Sequence, residues 1–286
     1  MSLFGFNDYS KAGPGISKNA PKKKPFFEFW ELYFRKFWKL LELNLLTALF
    51  CIPVVTIGPA IAGMTKVLRN YRLEKNSFIF HDFWKGFSKN LKQSIPVGLI
   101  DILFTVSAYA ALQVYPAMYK NSGSVIYIVL CVISLSFALT LLMMNFYIFP
   151  MIVATDLSLA NIVKNSFFLT CVGLKKNIIT LLAVVFVVLF IGVLVLLHPL
   201  SAIIIPIWPI SFLGFLIVFN SYPLIQKYVI DPYYEERGES NPEYAYLEPL
   251  DEEDAIFTDM GGREAPTDSP KDKQHGSKSK GNKKIS

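Results

Sequence analysis

Residues 50–63 read FCIPVVTIGPAIAG. This is an apolar run with Pro53 near its start, Gly58-Pro59 at its centre and small residues behind them. Whether the segment crosses a membrane or enters one and turns back decides the topology of the whole chain. Proline lacks a backbone donor and suits the first turn of a helix far better than its interior. Pro59 therefore reads as a helix start, and the stretch from Pro53 through Gly58 to Pro59 reads as a turn.

The charges on either side sharpen the choice. Residues 1–42 carry eight Lys and Arg, with Lys22-Lys23-Lys24 set between Pro21 and Pro25, and residues 64–94 carry seven. Basic segments stay on the cytoplasmic side of a membrane. A proline-kinked crossing over 43–63 would place one of these flanks outside. A re-entrant or shallow helical hairpin keeps both inside, with a helix from about Phe26 to Cys51 entering and a second helix leaving near Pro59. Irregular backbone at membrane depth must be covered by protein or line a wet cavity, so the turn is expected to pack against the other spans.

Those spans stand out in the composition. The 286 residues are 53% hydrophobic and only 17% charged. Four stretches, 95–114, 124–150, 178–197 and 200–222, approach or exceed the roughly 20 apolar residues that a helix needs to cross about 30 Å of hydrocarbon. The connection 115–123 holds one lysine, Lys120, and His198-Pro199 holds no Lys or Arg, whereas the connection between the second and third spans holds Lys164, Lys175 and Lys176. The poorly charged connections are therefore expected outside and the C-terminus in the cytoplasm. The hairpin reading puts the N-terminus there too. The first apolar run begins too late for a cleaved secretory signal, so the N-terminus is expected to be retained.

The expected fold is an all-α integral membrane protein. It has four transmembrane helices plus an N-terminal proline-turned hairpin or fifth span, and amphipathic helices at the cytoplasmic surface. Residues 1–42 form a basic N-terminal segment with the start of the entering helix, 43–230 the membrane domain, and 231–286 a disordered cytoplasmic tail. The stretches 82–94 and 159–177 each pair a helical apolar pattern with terminal lysines, and Asp156 or Ser158 can cap the second. Each precedes two spans, which suggests a parallel twofold repeat of surface helix plus helical hairpin. The tail carries fourteen acidic residues between Asp231 and Asp272, too polar to fold alone. Within it, Ile256 and Phe257 sit among acids, a pattern compatible with a short docking peptide as well as with a solubilising extension.

No catalytic constellation is visible, so no enzyme activity is expected. The three histidines are scattered, and there is neither a nucleophile elbow nor a phosphate-binding glycine loop. Cys51, Cys131 and Cys171 lack metal or redox spacing and read as small hydrophobes. No metal or other cofactor is expected. The partner environment is the lipid bilayer, not nucleic acid. Inside the spans the informative residues are polar. Asp101 is the one carboxylate, and Asn145, Asn220 and Asn44 are expected at similar depth, forming a polar cluster in the inner third of the bundle. Such a cluster suits a cation- or proton-sensitive transport site. With no Lys or Arg in any span to pair with Asp101, a protonated Asp that ties helices together is the favoured reading.

The leader FGFNDYSKAGPGISKNAP, the following KKKPFFEFWELYFRKFWKLLELNLL and the run CIPVVTIGPAIAGMTKVLRNY together resemble the YesL-like family of bacterial integral membrane proteins, a domain of unknown function common in Gram-positive bacteria. The likeness extends through HDFWKGFSKNLKQS and the order of spans to about residue 230. It implies a cell-membrane protein working near carbohydrate uptake systems of the ABC type, with ABC transporter subunits or another membrane protein as partner. The almost purely aliphatic outer halves of the last two spans favour an accessory or regulatory role. The alternative is a transporter or permease subunit that itself forms the translocation path.

Overall fold

The computed structural model describes residues 24–244. They divide into two units at the Arg35–Lys36 junction. In the first, α1 (Pro25–Arg35) is an aromatic-rich helix. Residues four apart lie on one helix face, so Phe29 stacks on Tyr33 and Trp30 on Phe34, with ring centroids 6.1 and 5.5 Å apart. The helix expected to run unbroken from Phe26 to Cys51 is thus interrupted at Lys36.

The second unit begins with α2 (Phe37–Phe50), a 3₁₀ turn (Val54–Thr56) and α3 (Ile57–Arg72). Two observations make this a hairpin. At about 1.5 Å per residue the arms are about 21 and 24 Å long, short of a ~30 Å hydrocarbon core. The Lys36 ammonium, at the base of the first arm, lies 5.7 Å from the centroid of the Tyr71 ring at the base of the second. Ends 35 residues apart in the chain meet only if the segment turns back.

Much of the turn's hydrogen bonding is local. The Cys51 N–H donates to the Thr47 carbonyl and the Thr56 N–H to that of Pro53, while the Thr56 hydroxyl lies 2.7 Å from both the Phe50 and Pro53 carbonyls. This corrects the expectation of a covered turn. The 3₁₀ turn touches α5 (Leu91–Ser122), but Ile52, Val54 and Val55 are exposed. The local hydrogen bonds lower the cost of leaving this apolar tip uncovered.

The small residues behind the turn place α3 at the centre. It packs against α2, α4 (Ile79–Lys89), α5 (Leu91–Ser122), α6 (Ile126–Ala154) and α9 (Pro209–Ile225), and Ala60, Ala62, Val67 and Leu68 are fully buried. Glycine permits the close approach of helix backbones. A Cβ on Gly98 would sit 2.7 Å from the Gly58 Cα, and one on Gly86 would sit 3.0 Å from the Gly63 Cα. Both α5 and α4 therefore pack directly on the α3 backbone.

The order of elements repeats. A short helix, α4, precedes the long antiparallel pair α5–α6. A second short helix, α7 (Leu159–Val172), precedes α8 (Leu174–Leu197) and α9. Ser158 caps α7, its hydroxyl accepting from the Asn161 N–H. Four helices are long and apolar enough to span a membrane: 91–122, 126–154, 174–197 and 209–235. The last corrects the expected span 200–222. Pro206 and Pro209 remove donors, and a proline disfavours helical backbone in the residue before it. The chain accordingly makes a 3₁₀ segment over Pro199–Ile204 and starts α9 only at Pro209, then continues through a wide π turn (Gln226–Ile230) into α10 (Asp231–Glu235).

Folded structure continues past residue 230. α10 lies beyond that boundary, and Asn241 and Glu243 are buried. Glu243 is held there by Arg69 of α3. Ile256 and Phe257 lie outside the described residues.

Candidate functional site

The four polar residues singled out within the spans do not form one cluster. Asp101 and Asn145 do meet: the Asn145 amide donates to the Asp101 carboxylate at 2.6 Å, joining α5 to α6. Asn220 instead donates to the Thr180 hydroxyl at 2.9 Å, joining α9 to α8. Asn44 is fully buried and serves another purpose. Its amide donates to the Pro206 carbonyl and its oxygen accepts from the Ser211 N–H, both at 2.7 Å. Ser211 is the third residue of α9, so Asn44 acts as an N-cap supplied from another helix. It satisfies the backbone that the prolines leave irregular.

A further clip was not anticipated. The Tyr147 hydroxyl donates to Asn177 at 2.6 Å, and the Asn177 amide donates to the Thr170 carbonyl at 3.1 Å, tying α6, α7 and α8. The available signal was Asn177 itself, a buried amide placed directly after Lys175-Lys176 at the start of a span.

The Asp101–Asn145 pair lines a cavity of about 870 Å³ bounded by α3, α5, α6, α8 and α9. Thr65 and Thr105 are the other polar side chains on its wall, and the remainder is apolar, including Phe104, Leu112, Leu139 and Phe146. The Asn145 side-chain oxygen is buried with no hydrogen-bond partner. The wall thus carries one carboxylate and one amide at a single level, with only Thr65 and Thr105 as further polar side chains.

A denser network closes the basic end of the bundle, where α3 ends. Arg69 donates to the Tyr222 hydroxyl at 2.6 Å, lies over the Tyr222 ring and forms an ion pair with Glu243. The Tyr222 hydroxyl donates to Glu243 at 2.6 Å, and the Gln226 amide donates to the other carboxylate oxygen at 3.0 Å. Asn241 holds the strap in place: its oxygen accepts from the Glu243 N–H and its amide donates to Asp231 at 2.8 Å. Burial opposes the Glu243 charge, yet the Arg69 guanidinium and three donated hydrogen bonds outweigh it and hold the carboxyl below the usual carboxylate range. Burial likewise opposes the charge on Arg69, but Tyr222 and Glu243 beside it hold its pKa above the ordinary value. This network was missed because fourteen acids in the last segment look alike in sequence.

Among the described residues no three His, Cys, Asp or Glu side chains converge as a metal site would require. The site can pair helices, hold a strap and present cations. No curated protein and no solved structure gives a significant match. A family model described as a protein of unknown function, DUF624, matches residues 40–112, the stretch from α2 through the hairpin turn, α3 and α4 into α5.

Proposed function

We propose that this chain is a YesL-like accessory or regulatory component associated with ABC-type carbohydrate uptake. It sits in the cell membrane of a Gram-positive bacterium with both termini in the cytoplasm, and it has no enzyme activity. The observation that carries this reading is the use of intramembrane polarity. Asn44, Asn177 and Asn220 are spent on clips between elements of the chain itself. A sugar path needs hydroxyl-matching side chains through the full depth of the bundle. Here the cavity wall beyond Asp101 and Asn145 is apolar apart from two threonines. The basic end, with α4, α7 and the strap, supplies contacts for cytoplasmic or membrane partners.

The alternative is a permease subunit that forms a path itself. The Asp101–Asn145 pair on the wall of a cavity large enough for a small solute favours it. Purification from native membranes in mild detergent, paired with sugar uptake by proteoliposomes holding this chain alone, separates the two. Co-purification of ABC-type permease or ATPase subunits, with no uptake by the chain alone, is expected. Sugar accumulation by the chain alone would replace the accessory reading with the permease reading.

A further inference from the structure

A second cavity, of about 200 Å³, lies at the basic end between the end of α3, α4, the end of α6 and the strap. One water needs only ~10–15 Å³ of such space, so the cavity can hold a group of several atoms. Its wall carries Lys66, Arg69, Lys75, Lys85 and Lys89 against one carboxylate, Glu243. Basic side chains thus outnumber acidic ones on this wall. Glu243 is already engaged by Arg69, Tyr222 and Gln226, and Lys89 reaches Asp156 only at 4.0 Å.

Like charges gathered in a partly desolvated space repel. Lys75 registers this: burial, reinforced by Arg69, holds its ammonium below the ordinary lysine pKa although Glu243 pulls the other way. An arriving anion would relieve the repulsion. Lysine ammonium groups bind phosphate as point charges, and basic pockets between helices at a membrane surface suit phosphate-bearing groups. Leu73, Val153, Ala154 and Ile230 form an apolar wall that a carbon substituent could cover.

We propose that this cavity is a binding site for a phosphate group bearing a small organic substituent, with Lys85 and Lys89 on α4 among its principal cations. The proposal rests on the cavity alone and does not depend on the partner assigned above. A phosphate of this kind is carried either by an anionic lipid headgroup or by a soluble phosphorylated metabolite, and the test distinguishes them.

The full-length protein is placed in phosphatidylcholine nanodiscs and treated with an acetylating reagent, and lysine modification is read by mass spectrometry. Glycerol 3-phosphate is added in one arm, against chloride at matched ionic strength. In the other arm phosphatidylglycerol replaces part of the phosphatidylcholine. Protection of Lys85 and Lys89, with Lys175 and Lys176 unprotected, is expected in at least one arm. Protection by glycerol 3-phosphate points to a soluble ligand, and protection by phosphatidylglycerol alone points to a lipid. Equal modification in both arms and their controls would overturn the proposal in the unaltered protein. Each lysine near an anionic group contributes roughly a factor of five, so a Lys85→Gln, Lys89→Gln double variant should bind the protecting species roughly thirtyfold more weakly. Unchanged affinity in that variant would also overturn it.

Discussion

Replacing Glu243 by alanine tests whether the strap after α10 is part of the folded membrane domain. The two side chains of the Arg69–Glu243 pair are only 12% and 8% exposed. Glu243→Ala would strip the Arg69 guanidinium of its carboxylate and leave Tyr222 and Gln226 without their acceptor. Removing one partner of a buried ion pair typically costs about 3–5 kcal/mol, because the other charge stays buried and uncompensated. An exposed pair would cost less than about 1 kcal/mol. Unfolding free energy measured by denaturant titration in detergent micelles distinguishes the two ranges. A companion Arg69→Met, Glu243→Leu variant, which removes both charges, should lose clearly less than Glu243→Ala alone. A loss under about 1 kcal/mol for Glu243→Ala would refute the docking of residues 241–243 and return the tail boundary to residue 231. The pH dependence has a definite sign. The folded carboxyl lies below its usual range, so the unfolded chain binds the proton more readily. The stabilisation is complete above about pH 4.3, the unfolded value. It is lost as pH falls through the lower folded pKa, and Glu243→Ala should flatten that acid limb.

Substitutions at four further positions extend the test. Asp101→Asn should preserve the bond to Asn145 and leave stability nearly unchanged, whereas Asp101→Leu should lose roughly 0.6–2 kcal/mol in the same titration; loss of function in a folded Asp101→Asn variant would point instead to a titrating role. Asn44→Ala frees the Ser211 N–H and the Pro206 carbonyl inside the bundle and should cost about 1–3 kcal/mol, readable as a lowered unfolding midpoint. Gly58→Ala drives a methyl group into the Ser94 carbonyl and should cost about 1–3 kcal/mol through overpacking, while Gly192→Ala, which meets nothing within 4 Å, should be neutral or slightly stabilising.

The parts of the fold that were legible in sequence are those governed by one-dimensional quantities. Hydropathy over 20 residues located three spans, and the basic flanks of 43–63 favoured a turn at Pro53–Pro59 over a fifth crossing. Depth along a helix axis could also be read: Asp101 and Asn145 are at one level because α5 and α6 are antiparallel neighbours. Rotation about the axis could not. Asn220 turns towards Thr180 on α8, since its azimuth is set by how α9 packs on α3 through Gly214, Met64 and Leu68. Asn44 pairs with residues more than 160 positions away, and nothing local to either segment encodes that meeting. The start of α9 was misread because apolar composition continues through Pro206 and Pro209 while helical backbone does not. Glu243 was hidden in a charged tail, although Asn241-Pro242 beside it is a turn signal.

The hairpin is the claim on which the rest of the topology depends, and the side of the membrane reached by its two bases tests it most directly. In a background with Cys51, Cys131 and Cys171 replaced by serine, single cysteines are placed at Lys36, at the start of the first arm, and at Ser88, exposed on α4 after the second. Each is treated with a membrane-impermeant thiol reagent in intact cells and in inverted vesicles. The hairpin requires both positions to react from the same side, as the meeting of Lys36 and Tyr71 demands. Reaction of Lys36→Cys and Ser88→Cys from opposite sides would mean that residues 43–63 cross the membrane, and the hairpin would be wrong.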